Sequence, residues 1–306
     1  MYYRQLGSTG IQVSAIGFGC YGIGGGYRRK DPAEAKRAVE RALDVGINYF
    51  DSAPFVYGDS EKIVGAVVGS RRNSVILASK VEEFDRFSNP VRECVEQSLR
   101  SYGTDYLDIL QFRDPSAGKV QRFRFLEEAE ALKSEGKIRF AAVTIGDTHQ
   151  TTEGRYALDA GFPVIQLAYN LIFSQAEEDL LDAAHTAGCG IVARGPLCKG
   201  FLAARLNDIP ADIGADPNFR WFTPEEGSNL LKIQSALGFL ARDGRSLAQA
   251  AIQFVLRHPA IATTIPSLET EADVDELAGA LAVPALSEEE IQRARAAVSG
   301  FPSIDY

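Results

Sequence analysis

Three side chains able to exchange a proton lie near the ends of consecutive apolar runs: Asp51, Tyr57 and Lys80. The stretch NYFDSAPFVYGDSEKIVG, from Asn48 to Gly65, passes from an apolar strand closed by Asp51, through a loop carrying Tyr57, to a helix start at Asp59-Ser60-Glu61. The next apolar run, SVILASK, closes on Lys80. A carboxylate at a buried strand end is costly unless paired, and adjacent strand ends of a parallel barrel lie side by side, so Lys80 is the expected partner of Asp51. An ammonium held by an acid and set beside a phenol favours the phenolate, which would let Tyr57 trade a proton with a carbonyl oxygen near neutral pH. Singly, each residue also has a structural reading: Asp51 as a turn cap, Tyr57 as loop packing, Lys80 as a solvated strand end. Ser60 is expected to cap the following helix, with Glu61 in its first turn at the positive end of the dipole.

The elements that must position these groups alternate in type. Helix-period segments are expected near 32–46, 60–69, 90–102, 123–136, 149–160, 175–187, 228–242 and 271–282. Strands are expected near 15–19, 48–51, 75–80, 106–112, 138–144, 163–167, 189–194 and 261–265. Strand leading helix, eight times, points to an α/β fold of the (β/α)8 TIM barrel type rather than an open doubly wound sheet. Residues 2–14 read as an N-terminal β-hairpin capping the barrel floor, and helical stretches at 246–257 and 287–298 are expected to lie outside the eightfold repeat. The segment Phe201 to Gly227 is too long for an ordinary connection and reads as a loop over the barrel mouth. Gly17, Gly19 and Gly22 satisfy GxGxxG, but a dinucleotide loop of that kind needs a helix opening directly on its last glycine. Here the next helix waits for Asp31-Pro32, so close backbone approach to a ligand, or loop flexibility, is the expected reason for the glycines.

At 306 residues the chain is long for one domain, yet barrels of this type reach that size and nothing reads as a linker, so a single domain over 1–306 is expected. A net charge of -9 with scattered basic residues argues against nucleic acid or an anionic membrane as partner and leaves a small-molecule substrate. There is no long apolar span, and MYYRQLGSTG lacks the features of a signal peptide, so a cytoplasmic protein is expected. Cys20, Cys94, Cys189 and Cys198 show no metal or redox spacing and are expected as buried, reduced thiols, with no metal site.

FDSAPFVYGDSEKIVG followed by ILASK resembles the signature of the aldo-keto reductase superfamily, and the similarity extends from LGSTGIQVSAIGFG to TTIPSLETEADVDEL. The resemblance implies a nicotinamide-dependent oxidoreductase in which Tyr57 is the acid or base at the carbonyl oxygen, Lys80 lowers its pKa and Asp51 holds Lys80. The Asp114-Pro115 pair is similar to the branch containing aldose and sugar-lactone dehydrogenases. One position departs: the family's histidine after the fourth strand is Arg113 here, while His149, His185 and His258 fall in or beside helices and read as structural. Arginine cannot release its proton, but its fork can bind a carboxylate, so Arg113 is expected either to orient an acidic substrate or stabilise negative charge on oxygen, or else to pair internally with Asp51 or Asp114.

The cofactor implied by the resemblance is NAD or NADP. Gly19, Cys20, Thr144, Gln166, Arg194, Gly195, Pro196, Leu197 and Lys199 fall at its nicotinamide and pyrophosphate positions. Ser267, Glu269, Asp273 and Glu276 fall at the adenosine end. Ile145, Arg194 and Leu277 depart from the usual contacts, and Glu269 and Asp273 stand where basic residues would clasp a 2′-phosphate, so NAD is expected over NADP, with weak binding. Two alternatives to redox chemistry stay open: an enzyme using Tyr57, Lys80 and Asp51 for elimination or isomerisation, and a nucleotide-sensing subunit. Substrate choice is expected in the loops 81–89, 113–121 and 201–227, where Phe84, Phe87, Trp221 and Phe222 could line a pocket or pack on the scaffold.

Overall fold

The computed structural model describes residues 1–27, 31–82, 89–146, 150–177, 179–203 and 222–301. Strands β1 (Tyr3–Gln5) and β2 (Gln12–Ser14) form the antiparallel hairpin. Then follow β3 (Phe18–Gly19), α1 (Pro32–Asp44), β4 (Tyr49–Asp51), α2 (Ser60–Val68), β5 (Ile76–Val81), α3 (Pro90–Tyr102) and β6 (Leu107–Arg113). The chain continues through α4 (Ala117–Arg122), α5 (Phe125–Ser134), β7 (Ile138–Thr144), α6 (Gln150–Asp159), β8 (Val164–Ala168), α7 (Leu180–Thr186) and β9 (Gly190–Arg194). It ends with α8 (Pro224–Ala236), α9 (Leu247–Leu256), β10 (Ile261–Ile265), α10 (Glu271–Ala278) and α11 (Glu288–Ser299).

Strands β3 to β10 run parallel in chain order, and the ring closes between its first and last members. Gly17 N donates to Thr264 O at 2.8 Å and Gly19 N to Pro266 O at 2.9 Å. The eightfold barrel is therefore confirmed. Its glycines have a different reason from the one expected. A Cβ on Gly19 would lie 2.8 Å from Ile265 O and 2.9 Å from Pro266 O, so the close approach is to the protein's own closing strand.

Two apolar layers follow from the period-2 alternation of the strands. Inward residues such as Tyr49, Ile109 and Val192 pack with Leu6, Ile11 and Val13, so the hairpin plugs the floor as expected. Outward residues such as Phe112 meet the helices; Phe112 and Phe125 stand edge to face at 4.6 Å.

Several boundaries differ from the sequence reading. The helix expected at 123–136 breaks at Arg124, whose φ of 50° puts it in the left-handed region between α4 and α5. Helix α8 opens at Pro224 because Thr223 and Glu226 form a reciprocal capping box, inside the stretch expected to be loop. The repeat helix between β9 and β10 is α9, which packs on β10 and α10, whereas α8 packs on α11. Thus α8, not the stretch at 246–257, is the extra element beside α11. The sequence pattern shows how apolar a helix is but not which neighbour its face meets. Among the described residues no helix is long and apolar enough to cross a membrane. His149, Phe84, Phe87 and Trp221 lie outside the described residues.

Candidate active site

Parallel register brings the chemical groups to one end of the ring. Gly19 pairs with Asp51 and Lys80 with Gln111, while Arg113 pairs with Thr144 and Thr144 with Gln166. Asp51 and Lys80 are 1% and 2% exposed and form a direct ion pair through Oδ1. Lys80 Nζ also donates to Ser52 O at 3.1 Å. The other carboxylate oxygen accepts from Gln111 Nε2 at 2.7 Å and from Gln166 Nε2 at 2.8 Å. Gln111 Oε1 in turn accepts from Thr144 Oγ1 at 2.7 Å. Both oxygens of a buried acid are thereby satisfied, and the acid has no freedom to turn away from Lys80. Burial pulls the Lys80 pKa down, but the Asp51 charge outweighs it with help from Tyr57, and the net shift is above the ordinary lysine value.

Tyr57 stands over this pair, with Lys80 Nζ 5.0 Å from its ring centroid. Its loop is seated by its neighbours. Tyr21 meets the ring edge to face at 5.1 Å, and a Cβ on Gly24 would collide with the Tyr57 carbonyl oxygen. Burial raises the phenol's pKa; Lys80 and Arg113 oppose this, Asp51 and Glu82 reinforce it, and the net shift is upward. This corrects the expectation of a favoured phenolate: burial outweighs the two cations, and their counter-ions Asp51 and Glu82 add to it. The phenol is held protonated.

Arg113 pairs internally, mainly with a residue the sequence reading did not single out. Its Nη1 donates to Glu82 Oε1 at 3.0 Å, and its Nε lies 3.7 Å from Asp114 Oδ2; Asp51 is not its partner. The register explains the pairing. Val81 lies opposite Phe112, so Glu82 and Arg113 leave their strands side by side. Glu82 is 4% exposed, while the Arg113 side chain remains about half exposed. The signal for Glu82 was its spacing from Lys80, since residues two apart on a strand share a face. Gln111 stands in the same relation to Arg113.

Helix α2 also differs from expectation. Ser60 does not cap it; its hydroxyl meets Ser52 Oγ at 2.6 Å in the interior. Glu61 is 2% exposed, and its Oε1 accepts from Ser79 Oγ at 2.7 Å and Ser98 Oγ at 2.8 Å. Burial, opposed by these hydrogen bonds, raises its pKa to about 7.

The residues expected around a dinucleotide are brought to the same end, though several have structural duties. Arg194 Nη2 donates to Ile145 O at 3.1 Å, across the mouth from Lys80. Gly195 to Gly200 form a tight turn after β9, with Cys198, Lys199 and Gly200 at positive φ. Cys20 is buried, and burial together with the Asp51 charge pushes its thiol well above the usual range, so its side chain is a packing element. All four cysteines are free and buried. Ser267 pairs with Gly19, and its hydroxyl bonds Tyr27. Asp273 is the N3 acid of the α10 capping box, its Oδ2 accepting from Glu269 N at 3.1 Å and Thr270 N at 2.9 Å. Glu276 turns away to α9, accepting from Ser246 Oγ at 2.8 Å. Glu269 lies against the glycine loop, where a Cβ on Gly22 would stand 2.6 Å from its Cγ. His258 is structural, its Nδ1 accepting from Ala260 N at 3.2 Å, and His185 lies in the last turn of α7. No metal cluster occurs among the described residues.

Residues 15–299 match the Aldo/keto reductase family. Aldo-keto reductase YhdN of Bacillus subtilis is 32% identical over 278 residues, covering 85% of this chain and 82% of that protein. L-galactose dehydrogenase of Arabidopsis thaliana is 27% identical, covering 89% and 86%. The structure of aldo-keto reductase AKR11C1 from Bacillus halodurans in its holo form superposes with a TM-score of 0.78 at 26% identity, covering 97% of this chain and 96% of that one.

Proposed function

The chain belongs to the aldo/keto reductase family and is an oxidoreductase of that type; from this premise we propose that it interconverts a carbonyl and an alcohol with NAD as the preferred cofactor and Tyr57 as the proton donor. The observation that carries this reading is the buried Asp51–Lys80 pair standing over the Tyr57 ring. A bound reduced nicotinamide would supply hydride to the carbonyl carbon. Tyr57 gives its proton to the carbonyl oxygen, and the Lys80 ammonium then offsets the charge left on the phenolate. Asp51, clamped by Gln111 and Gln166, keeps Lys80 in place, and in the reverse direction the same groups take the proton back.

The donor set fits a dinucleotide. Arg194 and Lys199 bracket the turn after β9 and supply cations for a pyrophosphate. Glu269 and Asp273, at the opening of α10, favour ribose hydroxyls and repel a 2′-phosphate, which supports NAD over NADP. We place Gly19, Thr144, Gln166, Gly195, Pro196, Leu197 and Ser267 around the same ligand. The intact Lys80 pair favours catalysis over nucleotide sensing, and the oxidoreductase relatives favour redox chemistry over elimination. Buried, free cysteines suit a reducing, cytoplasmic setting.

The test is consumption of NADH and NADPH by pure protein over a panel of aldehydes, ketones and sugars. Carbonyl-dependent oxidation of NADH, faster than that of NADPH, is expected. Absence of turnover with both cofactors across the panel would overturn the reading.

A further inference from the structure

The Asp51–Lys80 and Glu82–Arg113 pairs at the mouth differ in kind. Asp51 and Lys80 are both buried and fully satisfied. Glu82 and Arg113 are unequal partners: the acid is 4% exposed, and the guanidinium side chain is 48% exposed, so a ligand can reach it. The contact uses one nitrogen and one oxygen, Nη1 to Oε1 at 3.0 Å, and Glu82 Oε2 is buried with no hydrogen-bond partner among the described residues. Asp114, 3.7 Å from Nε, adds a second acid on the other edge of the guanidinium. Asp51, Lys80, Glu82, Arg113 and Asp114, counted together, carry one net negative charge at neutral pH. A carboxylate approaching Arg113 must compete with Glu82 and would leave that buried acid unpaired.

We infer that Glu82 is a specificity-determining residue: as the buried counter-ion of Arg113 it cancels the cation beside Tyr57, so the site takes uncharged carbonyl compounds and turns away those bearing a carboxylate or phosphate. The inference builds on the reading of Tyr57 as the proton donor, and it replaces the acid-anchoring role that the sequence offered for Arg113. Glu82 is fixed for this task from three sides. It follows Lys80 at the end of β5, it meets Arg113 across the strand pair, and its carbonyl accepts from Cys94 Sγ of α3 at 3.4 Å. Removing its charge while keeping its shape leaves the Nη1 side of Arg113 without a counter-ion and open to an anion, with Asp114 alone on the Nε side.

Calorimetric titration of a charge-differing pair, 4-carboxybenzaldehyde and methyl 4-formylbenzoate, tests this without relying on turnover. The wild type should bind the ester more tightly, and Glu82→Gln should improve the carboxylate relative to the ester by about tenfold or more. Glu82→Asp, which keeps the charge, should retain the wild-type order. Arg113→Gln should abolish the gain when combined with Glu82→Gln. An unchanged ratio in Glu82→Gln, or a wild type that prefers the carboxylate, overturns the inference. Oxidation of NADH with the ester, followed in parallel, reports separately on the proposed reaction.

Discussion

Gly24 and Tyr57 touch through their backbones so closely that a single methyl on Gly24 would occupy the place of the tyrosine's carbonyl oxygen. The reciprocal contact exists too, since a Cβ on Gly58 would strike Gly24 O. The glycine loop after β3 is therefore the seat on which the Tyr57 loop rests, and Tyr21 from the same loop presses on the Tyr57 ring.

Gly24→Ala is expected to displace Tyr57 while leaving the barrel intact, because the clash is with backbone that cannot rotate away. Misplacement of a reacting group by about 1 Å is worth roughly a hundredfold in rate. A fall in kcat of that order, with little change in far-UV circular dichroism, is the expected outcome. An unchanged kcat would show that the two loops move apart freely.

Asp51→Asn removes the charge that holds Lys80 and leaves a buried ammonium with neutral acceptors in place of its counter-ion. Breaking a buried pair in this way costs about 3–5 kcal/mol, so the melting temperature should drop by several degrees, and turnover with it. The sign of the pH dependence follows from the raised Lys80 pKa. Its contribution is fully present below the ordinary lysine value of 10.5 and is lost only as pH rises through the higher folded value. Chemical denaturation of the two proteins at neutral and strongly alkaline pH should show the gap narrowing only at the alkaline end.

Glu61 has the same sign but acts in a lower pH window. Its pKa rises from 4.5 to about 7 on folding, so the folded state binds the proton more tightly and stability falls as pH climbs between those values. The shift corresponds to about 3 kcal/mol at pH above 7. Glu61→Gln should flatten that slope and make the protein more stable than wild type at pH 8 but not at pH 4.5. Equal slopes for the two proteins in urea titrations would refute the assignment.

How far these features could be read from sequence depends on what each requires. Asp51 and Lys80 were legible because each closes an apolar run, and a charge at a buried strand end needs a partner. Arg113 was legible as a departure, but its partner was not, since the two-residue spacing from Lys80 gives Glu82 its face and only the strand register puts it opposite Arg113. Gln111 and Glu61 were missed for the same reason: an amide or acid in a strand or first helical turn reads as ordinary surface until the fold places it inside. The barrel followed from periodicity alone. The exchange of roles between α8 and α9 did not, because it depends on which helix meets β10.

The cofactor preference can be separated from the fold at one position. Asp273 caps α10, and its replacement would cost about 1 kcal/mol of helix stability whatever its effect on nucleotide. Glu269 is the cleaner probe. Glu269→Gln should narrow the ratio of NADPH to NADH dissociation constants, measured by reduced-nicotinamide fluorescence. Tighter NADPH than NADH binding by the wild type would reverse the proposed preference.

The proton role of Tyr57, supported by Lys80 and Asp51, is probed most directly by Tyr57→Phe, which keeps the ring and deletes the hydroxyl. Single-turnover reduction with prebound NADH should slow by about 10²–10⁴-fold while NADH affinity stays at the wild-type value. Reduction at the wild-type rate by Tyr57→Phe would contradict the account at its centre.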